Sequence, residues 1–460
     1  MSPRAIKIIV IVIILFALIT GVLFFMSNKK GTGNPVTDIQ SGAISFRDFS
    51  PFNPPKPVVP TEPPPTTVGQ NPDTNPDGTS SGMFTEPEVR KVTDFAVSGF
   101  IYFQKERPLP PVVTEITPTE ETTTTDTATT AKTPTDKKTP PAPTTEKVTA
   151  LRYVRKSNAH ISDVFLDKEA SIEISNTTIP KIQEAFISPD GKSLILRYVN
   201  DATGAIQTYS GIIPPDPVGG IYGDLKGAFL PENIWWMTPS LDGTKLFALS
   251  SFGNGVVGDV SGITGDKNTQ IFTSAFDEWL PDWVSAKTIT LATKPSSNVP
   301  GYLYAINTTT KKMSRILGNI PGLTALMSPT EKSVLYTAIT KTSVTMSLYD
   351  VATHNSKNVG INTLPEKCVW TPSGTTFYCA VPDSWPSGTY PDNWYQGTVS
   401  FSDTIWRIDI SGGSFSLAEI ATSADFHGDL VDATNLQLDA TQEHLGFINK
   451  KDGTLWSIQL

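Results

Sequence analysis

Cys368 and Cys379 are the two cysteines of this 460-residue chain. They flank Ser373 and Gly374 almost symmetrically, so a simple hairpin register sets them opposite one another. Directly opposed residues of a non-hydrogen-bonded antiparallel pair come within reach of a cross-strand disulfide. Two buried thiols acting as small apolar side chains would fit the same spacing. His160, His354, His427 and His444 are scattered, with no His-x-x-x-His or Cys/His spacing. A metal centre needs further thiolate or imidazole ligands beside the cysteines, and none is near in sequence. The expectation is no metal and no cofactor.

Enzyme motifs occur only out of context. Residues 78–82 read Gly-Thr-Ser-Ser-Gly, a nucleophile-elbow pattern without the strand–turn–helix setting that exposes such a serine. Residues 253–258 match a dinucleotide loop, but no helix follows to hold a pyrophosphate. Asp73 to Gly78 opens like a calcium loop, yet Phe84 stands at the twelfth position and Pro76 interrupts. An enzyme would have to assemble its carboxylates in three dimensions, with Asp163, Asp259, Asp282 and Asp409 as contributors.

The richest binding candidate is residues 383–401, which carry Trp385, Tyr390, Trp394, Tyr395 and Phe401. Aromatic rings on a long loop suit glycan stacking or protein recognition, because they present large area at low entropic cost. The same rings could instead pack as a small satellite core. Trp235, Trp236, Trp279 and Trp283 are expected between neighbouring sheets, as core.

The elements that must position these residues follow from a repeated phrase. It reads Phe186-Ile-Ser-Pro-Asp-Gly-Lys-Ser-Leu-Ile-Leu196, then Met237-Thr-Pro-Ser-Leu-Asp-Gly-Thr-Lys-Leu-Phe247, and returns at 326–335 and 369–377. Degenerate copies stand at 282–289 and 438–445. Each is a tight hairpin, with Pro presetting φ and Asp-Gly or Ser-Gly supplying the turn conformers. A hairpin recurring roughly every 43 to 51 residues, with one longer gap, implies a radial array of small sheets.

Counted from residues 95–103 as an inner strand, the array is an all-β, seven-bladed β-propeller. Six blades result if residues 95–174 do not form one. Residues 89–93 are expected to complete the final blade beside residues 453–460, closing the ring and removing its free edges. Residues 206–213 are read as an outer strand of the second blade.

Residues 8–26 are mostly apolar and uncharged, long enough to span a bilayer as a helix. The organisation expected is therefore a membrane anchor at 1–26, a disordered Pro/Thr-rich stalk at 27–85 and a propeller at 86–460. Residues 106–147, Thr- and Pro-rich, read as a disordered insertion in a hairpin of the first blade. Arg4 and Lys7 face Lys29 and Lys30 across the apolar run. The short leading tail and the following linker favour the N-terminus inside and the propeller outside the cytoplasm. The net charge is −9, and no Lys/Arg block interleaves with aromatics, which argues against a nucleic-acid surface.

With Ser188-Pro-Asp-Gly-Lys-Ser-Leu194 and its copies in view, residues 85–460 resemble the TolB-like, WD40-like propeller superfamily. Residues 366–370, 378–382 and 392–401 look like stretches of membrane-anchored propeller proteins of uncultivated bacteria. The resemblance implies the fold and an envelope setting, and no activity. The function expected is a monomeric, non-enzymatic scaffold that recognises a protein or an envelope glycan. The alternative is a propeller-resident lyase or glycan-active hydrolase with its site at the central channel.

Overall fold

The repeated phrase folds as the first hairpin of six of the seven sheets. A computed structural model describes residues 88–108 and 145–460, apart from 169, 219, 298, 341 and 342. A short strand, β1 (Val89–Lys91), precedes blade one, which comprises β2 (Val97–Pro108), β3 (Thr145–Arg155), β4 (Ile161–Phe165) and β5 (Ser171–Ser175). Blade two comprises β6 (Glu184–Ile187), β7 (Ser193–Val199), β8 (Ile206–Ile212) and β9 (Lys226–Phe229). Blade three holds β10 (Ile234–Pro239), β11 (Lys245–Phe252), β12 (Gly255–Gly262) and β13 (Thr269–Ser274). Blade four holds β14 (Trp279–Trp283), β15 (Thr288–Thr293), β16 (Pro300–Asn307) and β17 (Met313–Pro321). Blade five runs β18 (Thr324–Met327), β19 (Ser333–Ile339), β20 (Val344–Asp350) and β21 (Ser356–Asn358). Blade six runs β22 (Cys368–Trp370), β23 (Thr376–Pro382), β24 (Asp403–Asp409) and β25 (Ser416–Ala421). Blade seven takes β26 (Ala433–Leu438), β27 (His444–Asn449) and β28 (Leu455–Gln459), and β1 completes it as the outer strand.

The result is seven four-stranded antiparallel sheets, six of them in chain order and the last closed by β1 beside β28, so the six-bladed count is set aside. Closure is as expected: Val89 pairs Ile458 and Lys91 pairs Trp456. Side chains then bolt the last blade to the first. The Tyr102 hydroxyl and Ser457 Oγ lie 2.8 Å apart, and Gln437 Nε2 donates to the Phe100 carbonyl at 3.1 Å.

The turns explain why the phrase recurs. In β6–β7, Ser188 Oγ accepts the Ser193 N–H at 2.9 Å, and Asp190 accepts the Lys192 N–H. Ser240 and Asp242 repeat this in blade three, and Ser328 accepts the Ser333 N–H in blade five. The next position is left-handed in all three of these turns. It is Gly243 at φ 66° where the turn presses on Ser188 and Pro189 of the preceding blade. Glu331 and Gln442 adopt the same conformation in blades five and seven.

Three readings of the sequence change. The segment 206–213 supplies the third strand of blade two, and the outer strand is β9, whose four residues are all exposed. The β2–β3 ladder continues to Pro108 opposite Thr145, so both arms extend into the range assigned to the insertion. Arg107 anchors them through Glu146 at 2.6 Å and Asp167 at 2.7 Å. Trp279 and Trp283 are buried between blades three and four as expected, with Phe247 and Ile289. Trp235 is not: a bulge between Ile234 and Trp236 turns it outward, and Trp236 is only partly buried.

Among the described residues no helix is long and apolar enough to cross a membrane. The anchor at 1–26, the stalk at 27–85 and residues 109–144 of the insertion lie outside the described residues.

Candidate functional site: a channel cavity walled by a pinned insertion

Residues 383–402 leave blade six between β23 and β24 and fold back over the ring. One helical turn, Asp392–Tyr395, organises them. Asn393 ties the loop to itself, its Oδ1 accepting the Thr389 N–H and its Nδ2 donating to Thr398 Oγ1. Asp392 accepts the Ser297 N–H of blade four at 2.9 Å. The aromatic side chains cluster: Trp385 meets Tyr390 edge-on at 4.8 Å, and Phe401 stacks with Tyr390 and Trp394. Tyr390, Trp394 and Phe401 are buried with Ile339 and Leu364, and Trp385 and Tyr395 partly so. These rings form a satellite core rather than an exposed platform, because an insertion of this length holds a shape only by burying apolar area of its own.

What fixes that core to the propeller is a charged centre. Lys367, directly before β22, is fully buried. Its Nζ donates to Asp432 Oδ1 at 2.5 Å, to Asp403 Oδ2 at 2.8 Å and to the Ala433 carbonyl at 3.0 Å. Asp432 also accepts from Trp394 Nε1, Ser400 Oγ at 2.9 Å and the Phe401 N–H at 3.0 Å. Burial alone would raise the Asp432 carboxyl, but the Lys367 charge and these donors hold it below the ordinary range. Burial pushes Asp403 up to about 6 against the pull of Lys367; its Oδ2 takes the Ala433 N–H, while Oδ1 has no hydrogen-bond partner in the protein. Burial works against the Lys367 ammonium too, yet the two carboxylates raise it and keep it charged. Lys450 closes the far side, donating to the Trp394 carbonyl at 2.5 Å and lying 4.7 Å from its ring.

The structure joins Cys368 to Cys379 across the β22–β23 ladder, with Cα atoms 4.1 Å apart. The bridge stands one residue from Lys367 and ties the strand that follows it.

The insertion matters because of what it faces. A cavity of about 690 Å³ occupies the centre of the ring. Its wall includes Phe186, Trp236, Leu280, Asp282 and Trp283 from blades two to four. Trp394, Tyr395 and Glu366 complete it from blade six. Tyr395 donates its hydroxyl to Glu366 Oε1, and Glu366 Oε2 is buried without a hydrogen-bond partner in the protein. Burial raises the Glu366 carboxyl despite that bond, and raises the Tyr395 hydroxyl well above its usual value. Asp282 is open to water inside the cavity but enclosed by protein, and the loss of bulk hydration pushes it up to about 6.

Trp385 and Tyr390 line a separate depression of about 770 Å³ on the other flank of the insertion, with Ser297 and Asn362. Of the four aspartates considered for a channel enzyme, Asp282 alone lines the central cavity. Asp163 is buried on β4 in a pair with Arg152 and Lys105, Asp259 sits on the third strand of its blade, and Asp409 caps the turn after β24. Third strands lie away from the channel, which first strands line. Residues 253–258 form the β11–β12 hairpin, not a phosphate loop. Among the described residues, no group of three or more His, Cys, Asp or Glu could hold a metal ion.

Sequence reasoning missed Lys367, Asp403, Asp432 and Glu366. The available signal was a lysine set among Leu364, Pro365, Cys368 and Val369, where a solvated charge is out of place.

No family model matches the chain, and no curated protein matches it. Solved structures similar to it include an oligogalacturonate lyase from Vibrio parahaemolyticus, at 10% identity and TM-score 0.43, covering 67% of this chain and 85% of that one. An oligogalacturonate lyase in complex with manganese matches at 12% and 0.42, covering 68% and 85%. TolB from Acinetobacter baumannii matches at 11% and 0.37, covering 68% and 77%. At these scores no activity or site transfers, and the fold rests on the seven sheets themselves.

Proposed function

We propose that this protein is a membrane-tethered, monomeric, extracytoplasmic propeller that recognises a protein or envelope polymer at its central cavity without catalysing a reaction. The observation that carries this is the preorganised wall. Trp394, Tyr395 and Glu366 line the cavity, Glu366 bonds Tyr395, and the Lys367 centre holds Trp394 through Asp432. Rigid aromatic side chains lose little entropy on binding, and a concave, mainly apolar cavity with few polar groups is the usual form of a ligand site. The tether is the apolar run at residues 8–26. A disulfide on β22–β23 suits an oxidising compartment.

The test is capture from an envelope extract by the full chain and by Leu280→Trp, which fills the cavity from β14. A ligand retained by the native protein and lost from the filled variant supports the proposal. Equal retention by both moves recognition to another face. A second reading, a channel enzyme, is favoured by the water-accessible Asp282 carboxyl near 6, in the range of a general acid or base. Turnover of an envelope glycan that disappears in Asp282→Asn would establish it in place of the first.

A further inference from the structure

The wall of the central cavity is one-sided in charge. Among the described residues it contains three carboxylates, Glu184, Asp282 and Glu366, and no Lys, Arg or His. The three are not equivalent. Glu184 is neutralised by Arg197 at 2.7 Å, and Glu366 is bonded by Tyr395. Asp282 has no cationic partner among the described residues; its one polar contact is the Trp283 backbone. It projects from an inner strand whose neighbouring wall residues are Leu280 and Trp283. Lys367 and Lys450 lie behind Trp394 rather than in the wall, and Lys367 is already shared between Asp403 and Asp432.

A carboxylate without a cationic partner in an enclosed, aromatic-walled cavity is electrostatically incomplete. A cation entering it gains Coulombic attraction at reduced dielectric and the quadrupole of the aromatic faces together. An anion meets like charge, and a neutral chain leaves Asp282 unpaired.

We infer that the cavity takes an alkylammonium group, carried by a lysine side chain of a peptide, with the ammonium at Asp282 and its methylene stem against Trp236 and Trp283. The inference rests on the recognition reading and names the chemistry of the ligand. The methylene stem suits the apolar wall, and the compact ammonium at its end pairs with the Asp282 carboxylate.

The test is tryptophan fluorescence of the full chain in detergent, titrated with three probes. These are a blocked pentapeptide with a central lysine between leucines, the same peptide with Nε-acetyl-lysine, and spermidine. The lysyl peptide is expected to bind at least tenfold more tightly than its acetylated twin. Asp282→Asn should erase that difference without lowering the midpoint of thermal unfolding, since it removes a carboxylate that stabilises nothing in the fold. Tighter binding of spermidine than of the peptide would overturn the peptide source and identify a free polyamine as the ligand. Equal binding of the lysyl and acetylated peptides would overturn the ammonium site while leaving recognition standing. No binding by any probe, with a ligand still lost from Leu280→Trp in the capture experiment, would also overturn it and leave the broader reading intact.

Discussion

Replacing Lys367 with methionine keeps the volume of the side chain and removes its charge from between two buried carboxylates. Asp432 Oδ1 and Asp403 Oδ2 lie 2.5 and 2.8 Å from Nζ. Without the ammonium they face each other unscreened, at roughly 3 kcal/mol of repulsion for an effective dielectric near 20. The folded protein can escape by protonating one of them. At pH 7 that costs about 4 kcal/mol relative to an unfolded aspartate of ordinary pKa. The loss of stability is therefore expected at about 3–4 kcal/mol, in line with removing one partner of a buried pair.

The pH dependence has a definite sign. In the variant the folded state binds a proton that the unfolded state does not, so its deficit is greatest at high pH and shrinks as pH falls. Native Asp403, already pushed up to about 6, also gains protons in this range, which reduces the contrast. The two gains nearly cancel, so the deficit should narrow only slightly, by less than about 1 kcal/mol, between pH 7 and pH 5. Adding Asp403→Asn to the variant should restore a large part of the loss at pH 7, because the surviving charge then stands alone. Urea denaturation followed by tryptophan fluorescence at both pH values measures all of this. A deficit below about 1 kcal/mol at pH 7, or one that grows as pH falls, would refute the argument that this centre holds the insertion.

The other predictions concern the frame. Converting Cys368 and Cys379 together to serine should lower stability by about 2–3 kcal/mol, the loop-entropy estimate for a closed loop of this length, read as a shift in urea midpoint. Gly243→Ala should cost about 2 kcal/mol, because the residue is left-handed and a Cβ would stand 2.7 Å from Pro189 and Ser188. Gly253→Ala, equally left-handed but in open space, should cost only about 1 kcal/mol; the difference isolates the packing of one blade's turn on the next.

The ring was legible because its turns are local chemistry. Ser188, Pro189, Asp190 and Gly191 write a hairpin within one short stretch, and its copies mark six of the seven blades. Strand β9 was not legible: Lys-Gly-Ala-Phe has no buried side and no alternation, so only pairing with β8 makes it a strand. The aromatic content of residues 383–401 was visible, but its burial was not. That depends on Asp403 and Asp432, which stand 36 and 65 residues from Lys367 in the chain and meet it only when blades six and seven pack. Asp282 could have been separated from Asp163 and Asp259 beforehand. It occupies a copy of the repeated phrase, hence an inner strand, whereas the others belong to third strands.

The most direct measurement is site-specific photo-crosslinking in the native envelope. A photoreactive residue at position 280 would look into the cavity, and one at Glu419, on exposed strand β25, would serve as the outer reference. Recognition through the cavity predicts a discrete adduct from position 280, absent at 419 and suppressed by excess lysyl peptide. No adduct at 280, or the same adduct from both positions, would contradict it.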